Sequence, residues 1–246
     1  MRQKIKLFIL NFITLSQYFK IIDWTKKQFI PGKNQININI LFTLLSKKLK
    51  RVSFVQIGAN DGIKNDPIFP YVRKYQWRGI LVEPLPNLFE KLVVNYEADK
   101  ALVFENVGIG DKNEEMNFYY LPPEYNYPDW LQQIGTFDKN AIEFNLSNFP
   151  EVIGKVEARK IKVITLKELF KKNEISKIDL LIVDAEGFEY KILRQLSELP
   201  EKPSYILFEW GCMKEDVRNA LFDLLRELEY KLYSGGGDVL AALKEF

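Results

Sequence analysis

The chain has 246 residues, of which 47% are hydrophobic and 28% charged, and its 35 basic and 33 acidic side chains give a net charge of +2. This composition is ordinary for a globular protein with a sizeable core, and the balanced charge disfavours a nucleic-acid-binding protein, which would carry a concentrated basic face. The chain contains no histidine, which excludes Ser-His-Asp and Cys-His catalysis and any zinc site built on imidazole. A general base would therefore have to be an Asp, Glu, Lys or Tyr side chain.

Residues 1–50 are predicted to form an N-terminal helical segment that breaks at "PGKNQ" (31–35). Residues 7–19 carry no charge, but they are too few to cross a bilayer, and the small-residue cleavage site of a signal peptide is missing. We interpret this stretch as a helix that docks on the domain or on a partner. The alternative is an interfacial helix on an anionic membrane, so residues 1–30 are a candidate for partner or peripheral membrane contact.

Apolar runs of strand length alternate with helical patterns from residue 51 to residue 246, which we interpret as one domain. The alternation predicts an α/β fold, a Rossmann-like doubly wound, mostly parallel sheet with helices on both faces. Residues 123–156 are aromatic, contain proline and look irregular, which is typical of a lid or substrate-binding region. The predicted strands are 52–58, 79–83, 101–110, 113–122 (near a sheet edge), a short strand from 158, 177–187, 204–211 and two short strands within 230–243; the predicted helices are 67–77, 88–96, a segment ending at 172, 188–198 and 214–229.

The first motif is "FVQIGANDG" (54–62), in which a buried strand runs into a turn that carries Gly58, Asn60, Asp61 and Gly62. These residue types tolerate left-handed backbone or allow a ligand to approach the chain closely. Ligands of such sheets bind beyond the carboxyl ends of the strands, where the next helix presents its positive N-terminus. A plain turn is the alternative interpretation.

The second motif is Glu83, which ends "GILVE" about 25 residues after Gly58 and is well placed to accept both hydroxyls of a ribose. A helix-capping or ion-paired acid is the alternative. A pyrophosphate would be crowded and repelled by Asn60 and Asp61, whereas a nucleoside without phosphates would not. S-adenosylmethionine is such a nucleoside, and its sulfonium and amino group favour nearby acids.

The third motif is "VDAEGFEY", which places Asp184, Glu186 and Glu189 after an apolar strand, and Glu209 ends the next strand in "FEWG". Acids this close together are unfavourable unless they meet a cation, a metal or a proton-sharing partner. Helix N-terminal acids would explain Glu189, and an ion pair would explain Glu209. The single cysteine, Cys212, fits a reducing, cytoplasmic compartment and is interpreted as a buried small hydrophobe.

The segments "FVQIGANDG", "GILVEPLP", "NVGIGDKNEEMNFY" and "KIDLLIVDAEGFEYKIL", followed by "YILFEW", resemble FkbM-family methyltransferases in order and spacing over about residues 52–211. The resemblance implies the class I methyltransferase fold, S-adenosylmethionine as cofactor, and O-methylation of a hydroxyl on a small-molecule or glycan acceptor, as in polysaccharide biosynthesis. It also implies which residues hold the cofactor. These are Gly58, Ala59, Asn60, Asp61 and Gly62 in the first loop, Glu83 at the ribose, Pro84 and Leu85 beside the adenine, Gly108 to Asp111 at the adenine edge, and Asp184 nearest the methyl group.

The chain departs from the usual class I pattern at Gln56, where many members carry an acid, and at Asn60, where the middle glycine is common. Asp184 and Glu186 are the candidate catalytic bases for a hydroxyl acceptor. An alternative is a Mg²⁺ ion held by Asp184, Glu186 and Glu209. Aromatic residues in 119–130 would stack on a sugar face or simply form a hydrophobic lid.

Two other functions remain open from the sequence. One is a non-catalytic interaction module that keeps the fold, and the other is a nucleotide-dependent oxidoreductase on a similar sheet, which the Asn-Asp loop disfavours.

Overall fold

The computed structural model describes residues 13–25, 29–33, 35–122, 127 and 131–243. It begins with two helices, α1 (Leu15–Thr25) and α2 (Ile38–Lys48), separated by a turn at residues 31–33 within the predicted break. The Asn37 side chain accepts a hydrogen bond from the amide of Ile40 and so caps the start of α2. No helix in the described part of the chain has both the length and the apolarity to cross a membrane.

The central sheet has seven strands in the order β10-β11-β9-β8-β1-β2-β3. Five neighbouring strands, β9, β8, β1, β2 and β3, are parallel, and β11 is antiparallel to both of its neighbours. The bounds are β1 Ser53–Ile57, β2 Arg78–Val82, β3 Leu102–Glu105, β8 Leu180–Val183, β9 Tyr205–Glu209, β10 Tyr230–Ser234 and β11 Asp238–Leu243. The predicted mostly parallel α/β sheet is confirmed.

Helices cover both faces of this sheet because side chains on successive strand residues point to opposite faces. On β1, Phe54 packs into a cluster with α1 and α2, whereas Val55 packs into a second cluster on the other face. Among the described residues, five further helices are α3 Phe69–Tyr75, α4 Pro86–Asn95, α7 Leu166–Lys172, α8 Glu189–Leu193, extended by a 3₁₀ turn over Arg194–Glu198, and α9 Glu215–Glu227. Helices α5 (Lys139–Asn145) and α6 (Pro150–Ile153) belong to the segment described below.

The described N-terminal helices share a core with the sheet. Phe19 of α1 packs against Tyr205 and Tyr233, with ring centroids 6.4 and 5.0 Å away. The part of the predicted docking helix that is described therefore docks on the sheet. Residues 7–12 lie outside the described residues, and a domain boundary at residue 50 stays a prediction.

A second sheet of four strands, in the order β4-β7-β5-β6, was not predicted. The predicted single strand 101–110 is wrong, because β3 ends at Glu105 and β4 (Gly108–Ile109) belongs to the second sheet. The prediction that 113–122 lies near a sheet edge agrees with the second sheet, since β5 (Glu114–Tyr120) lies between β7 (Glu157–Ile164) and the two-residue edge strand β6 (Gly135–Thr136).

Residues 131–156, which we call the flap, are more ordered than the sequence predicted. They contain a 3₁₀ turn (Leu131–Gln133), β6, α5 (Lys139–Asn145) and α6 (Pro150–Ile153). The flap has a small core of its own, formed by Leu121, Leu131, Ile134, Ile142, Leu146 and Val152. Residues 123–126 and 128–130 lie outside the described residues.

Candidate functional site

The candidate site lies at the carboxyl edge of the central sheet, where the strand order reverses. The chain proceeds from β1 outward to β2 and β3, and later returns to place β8 on the other side of β1. Such a switch point leaves a crevice between the loops that follow the two strands. Here those loops begin at Gly58, whose amide donates to Val82, and at Asp184, whose amide donates to Ile57.

Gly58 allows the two loops to meet. Its φ is +81°, and a Cβ at this position would lie only 1.8 Å from the carbonyl oxygen of Asp184. A side chain is therefore excluded by protein backbone, in addition to the strain of a left-handed conformation. The predicted close approach at Gly58 exists, and the group that approaches from this side is the neighbouring loop.

Next to Gly58 is a cavity of about 430 Å³. It brings together most of the site residues that the sequence predicted. Those that line it are Gly58, Ala59, Asn60, Glu83, Pro84, Leu85, Gly108, Asp184, Glu186 and Glu209.

Four residues that the sequence assigned to the cofactor do not line this cavity: Asp61, Gly62, Gly110 and Asp111. The Asp61 carboxylate accepts hydrogen bonds from the amides of Ile63 and Lys64 at 3.0 and 2.9 Å, which close the loop. A Cβ at Gly62 would lie 2.5 Å from a methyl carbon of Leu92, so this glycine permits tight packing of α4. Asp111 forms an ion pair with Arg194 at 2.6 Å. Asp61, Gly62 and Asp111 thus each have a structural role, and a cofactor contact at any of the four stays a prediction.

Glu83 is 4% exposed and connects the loop that follows β1 to the loop that follows β2. Its carboxylate oxygens accept from the amides of Asn60 and Leu85, both at 2.9 Å. Burial, with a smaller contribution from Asp184 and Asp61, raises the pKa of Glu83 to about 7. Because each carboxylate oxygen can accept more than one hydrogen bond, these contacts leave capacity for a ribose hydroxyl.

One end of the cavity is apolar and surrounds the residues that follow β2. Phe118 and Phe137 meet there edge to face, with ring centroids 4.8 Å apart. Apolar walls with a few fixed polar groups are typical of small-molecule sites. The apolar lining residues are Pro84, Leu85, Leu88, Val107, Phe118 and Phe137.

The other end is acidic. Asp184 faces the cavity, where the surrounding protein excludes much of the water and so raises its pKa to about 7, and the charges of Glu209, Asp238 and Asp66 add to that shift. Burial, together with the neighbouring charges of Asp184 and Glu209, raises the pKa of Glu186 well above its usual value. The lining carries six carboxylates (Asp66, Glu83, Asp184, Glu186, Glu209 and Asp238) and, among the described residues, one basic side chain, Lys64. This balance favours a ligand that carries positive charge.

Glu189 holds the loop that follows β8, residues 184–188, which we call the acidic loop. It is fully buried, and its two carboxylate oxygens accept from the amides of Ala185 and Gly187, both at 2.9 Å. Burial raises its pKa to about 8. Glu189 does not line the cavity, and its position in the first turn of α8 agrees with the structural alternative that the sequence offered for it.

The predicted oxygen cluster for Mg²⁺ is not the cluster that forms among the described residues. The ligand atoms of Glu186, Glu209 and Cys212 lie within 4.8 Å of one another, without Asp184. The Cys212 Sγ lies 3.1 Å from a Glu186 oxygen and 3.3 Å from a Glu209 oxygen, within donating distance of either, and burial together with these carboxylates raises the pKa of the thiol. A protonated thiol is a poor ligand for a hard cation, so these residues do not fit Mg²⁺.

Several lining residues were missed by the sequence reasoning. Asp66 precedes α3 and accepts from the amides of Ile68 and Phe69, and an acid before a proline after the glycine loop was its only signal. Asp238 reaches the edge because β11 runs antiparallel, which sets it opposite Glu209. Asn145 reaches the cavity through the fold of the flap, for which the sequence offered no signal.

The aromatic residues proposed to stack on a sugar are mostly engaged elsewhere or lie outside the described residues. Tyr119 and Tyr127 pack against the core of the flap. The Tyr120 hydroxyl donates to Glu157 at 3.3 Å. Tyr125 and Trp130 belong to the ranges that the structure does not describe.

Comparison with known proteins gives one family and several distant structures. The family model of the methyltransferase FkbM domain matches residues 56–234. No curated protein sequence matches the chain. Among solved structures, the chain is similar to methyltransferase FkbM from Methylobacillus flagellatus KT, with 15% identity, a TM-score of 0.49 and coverage of 78% of this chain and 44% of that one.

Two further structures are similar at the same level. They are a METTL16 methyltransferase domain (10% identity, TM-score 0.47, 89% of this chain and 73% of that one) and the CMeT domain of the citrinin polyketide synthase (9% identity, TM-score 0.45, 85% and 52%). The chain spans less than half the length of the Methylobacillus flagellatus protein.

Proposed function

This chain belongs to the FkbM methyltransferase family, whose model covers most of its length, and from that premise we propose that it methylates a hydroxyl oxygen of a sugar, a glycan or a related metabolite. The observation that supports this best is the pairing of Glu83 and Asp184 on one cavity. They follow strands on either side of β1, with the Gly58 turn between them. That arrangement suits an adenosine whose sugar meets one carboxylate while its sulfonium faces the other.

The two ends of the cavity suit the two parts of the methyl donor. The apolar walls around Leu85, Phe118 and Phe137 would enclose the adenine, and Glu83 would accept from the ribose hydroxyls. The acidic end would face the sulfonium and the amino group, which carry positive charge. When bound, S-adenosylmethionine supplies a methyl carbon that is activated for displacement by its positive sulfur.

Proton removal falls to the carboxylates, because the chain has no histidine. Asp184 and Glu186 line the acidic end, where an acceptor hydroxyl would lie beyond the methyl group. In this mechanism, one of these carboxylates would accept the proton that the hydroxyl loses as its oxygen takes the methyl group, and the electron pair of the broken carbon–sulfur bond would remain with the donor's sulfur. A base with a pKa of about 7, as at Asp184, is well matched to neutral pH. Holding the acceptor oxygen, the methyl carbon and the sulfur in line would account for much of the remaining reduction of the activation barrier.

The first test is binding of S-adenosylhomocysteine, measured by isothermal titration calorimetry on the full chain. Glu83→Ala is expected to weaken binding at least about 10-fold, since it removes charge-assisted hydrogen bonds to the ribose. Glu105→Ala is the matched control. It removes another buried glutamate at the end of a neighbouring strand, which pairs with Lys172 and does not line the cavity.

Three outcomes would contradict the donor assignment. Equal affinity in Glu83→Ala and in the unaltered chain would remove the ribose role of Glu83. Binding of NAD(P) in place of S-adenosylhomocysteine would favour an oxidoreductase, and binding of neither would favour a non-catalytic module. The hydroxyl acceptor is tested separately with methyl-labelled S-adenosylmethionine and a panel of free and O-permethylated oligosaccharides, in which only the free ones should take up label.

A further inference from the structure

The flap touches the acidic loop through a single polar side chain among the described residues. Asn145 is the last residue of α5, and its Nδ2 donates to a carboxylate oxygen of Glu186 at 3.1 Å. The helix sits tightly on this loop, because a Cβ at Gly187 would lie 2.9 Å from the Cβ of Ala141. Gly187 has a φ of +100°, so its lack of a side chain serves both the turn and the contact with α5.

Glu186 is held in an unusual position. Its φ is +51°, a left-handed conformation that a non-glycine residue adopts only when its surroundings enforce it. The oxygen that accepts from Asn145 also accepts from the thiol of Cys212. The titratable groups that face Glu186 are the carboxylates of Asp184, Glu209 and Glu189, together with the same thiol.

We propose that Asn145 is a positioning residue that favours the ionised form of the Glu186 carboxylate and directs it into the cavity, so that the proton acceptor is complete only while the flap lies on the acidic loop. An amide N–H can only donate, and donation to a carboxylate favours its charged form. Asn145 thereby offsets part of the repulsion from three neighbouring acids. The inference rests on the proposed function for the role of Glu186 as a base.

Cys212 is a built-in reporter of this contact. It is the only cysteine in the chain, so a thiol reagent labels one position. Its single S–H can donate to only one of Glu186 and Glu209 at a time, although it lies within 3.3 Å of both. The charge on these two carboxylates opposes formation of the thiolate, which is the reactive form.

The experiment measures the rate of Cys212 alkylation by iodoacetamide from pH 6 to pH 9 on the full chain, without any methyl donor. Asn145→Ala should leave Glu186 more often protonated and loosen the flap, and both effects should speed alkylation several-fold and lower the apparent pKa of the thiol. Asn145→Asp keeps the size of the side chain but exchanges the donor for a further acid on the same Glu186 oxygen as the thiol. The added negative charge should raise the apparent pKa of Cys212 and slow alkylation, the opposite of Asn145→Ala.

Asn140→Ala is the matched control, because Asn140 lies on the same helix with an exposed side chain. It should leave the rate and the pH profile unchanged. Unaltered alkylation in both Asn145 variants, or an equal rise in Asn140→Ala, would overturn the proposal. Because no donor is present, a chain that fails to bind S-adenosylhomocysteine but responds here would refute the proposed function and keep the Asn145 contact.

Discussion

Gly58 shows how one residue connects the two halves of the site. The loop after β1 and the loop after β8 come so close that any side chain at this position would overlap the Asp184 carbonyl. Asp184 is thus placed by backbone contact as well as by its own strand. A side chain at residue 58 would push the loop after β1 away from the loop after β8, which carries the proposed bases Asp184 and Glu186.

Gly58→Ala is expected to lower the free energy of unfolding by about 3 kcal/mol or more, from left-handed strain together with the overlap. Gly154→Ala is the control, because a Cβ at Gly154 would meet no atom within 4 Å and its φ of −67° is one that alanine adopts freely. It should be neutral or slightly stabilising. Urea denaturation of both variants measures the difference, and equal stabilities would show that the loops separate without penalty.

At this scale the sequence predicted the residues that end parallel strands. Gly58, Glu83 and Asp184 each follow an apolar run, and the carboxyl ends of parallel strands share one edge. Asp238 begins its strand and reaches the same edge only because β11 runs the opposite way, which its local pattern did not indicate. Asn145 depends on how the flap packs, so no local pattern could have indicated it.

Helix α1 illustrates the element scale, because it is part of the core. Phe19 is 3% exposed and packs against Tyr205 of β9 and Tyr233 of β10. A helix that only touched a membrane or a partner would not bury an aromatic side chain against its own sheet. The described part of the N-terminal segment therefore contributes to folding.

Phe19→Ala is expected to destabilise the protein by about 3–5 kcal/mol, the usual range for removing a buried aromatic side chain. Ile21→Ala on the same helix should be milder, because Ile21 is 49% exposed. Thermal or urea unfolding of the full chain gives both values. If Phe19→Ala lowers the free energy of unfolding no more than Ile21→Ala does, α1 is not integrated into the core.

The break between β3 and β4 shows why element boundaries were harder to predict than elements. Residues 101–110 read as one apolar run, yet the chain leaves the first sheet at Asn106. The Asn106 side chain donates to the carbonyls of Glu83 and Pro84 at 2.8 and 3.1 Å, in place of continued strand pairing. A side-chain amide that replaces a ladder bond has no periodic signature.

On the scale of the whole molecule, the acids in and around the cavity act together on stability. Burial raises the pKa of Asp66 and Asp238 to about 6, of Glu83 and Asp184 to about 7, and of Glu189 to about 8. Each value lies above that of the unfolded chain, so between about pH 4 and pH 8 the native state binds more protons than the unfolded state. Stability is then greatest below this range and is lost as the pH rises through it.

We therefore expect the free energy of unfolding without ligand to be lower at pH 8 than at pH 5, by about 1.4 kcal/mol per pH unit for each full proton of difference. Urea titrations across this range measure it. Asp184→Asn should make the decline shallower, whereas Glu90→Gln, at an exposed position on α4, should leave it unchanged. A free energy of unfolding that rises from pH 5 to pH 8 would show that these acids are ionised in the native state.

The separate core of the flap has a consequence for how such a protein can diversify. Its apolar side chains are buried mainly among themselves, with Leu121 as the link to β5, so substitutions there can reshape the acceptor entrance while the sheet keeps its packing. A swap that begins after Phe137 would leave the adenine wall of the donor half in place. Chimeras that exchange residues 139–156 (α5 and α6) between relatives are therefore the natural place to look for altered acceptor selectivity.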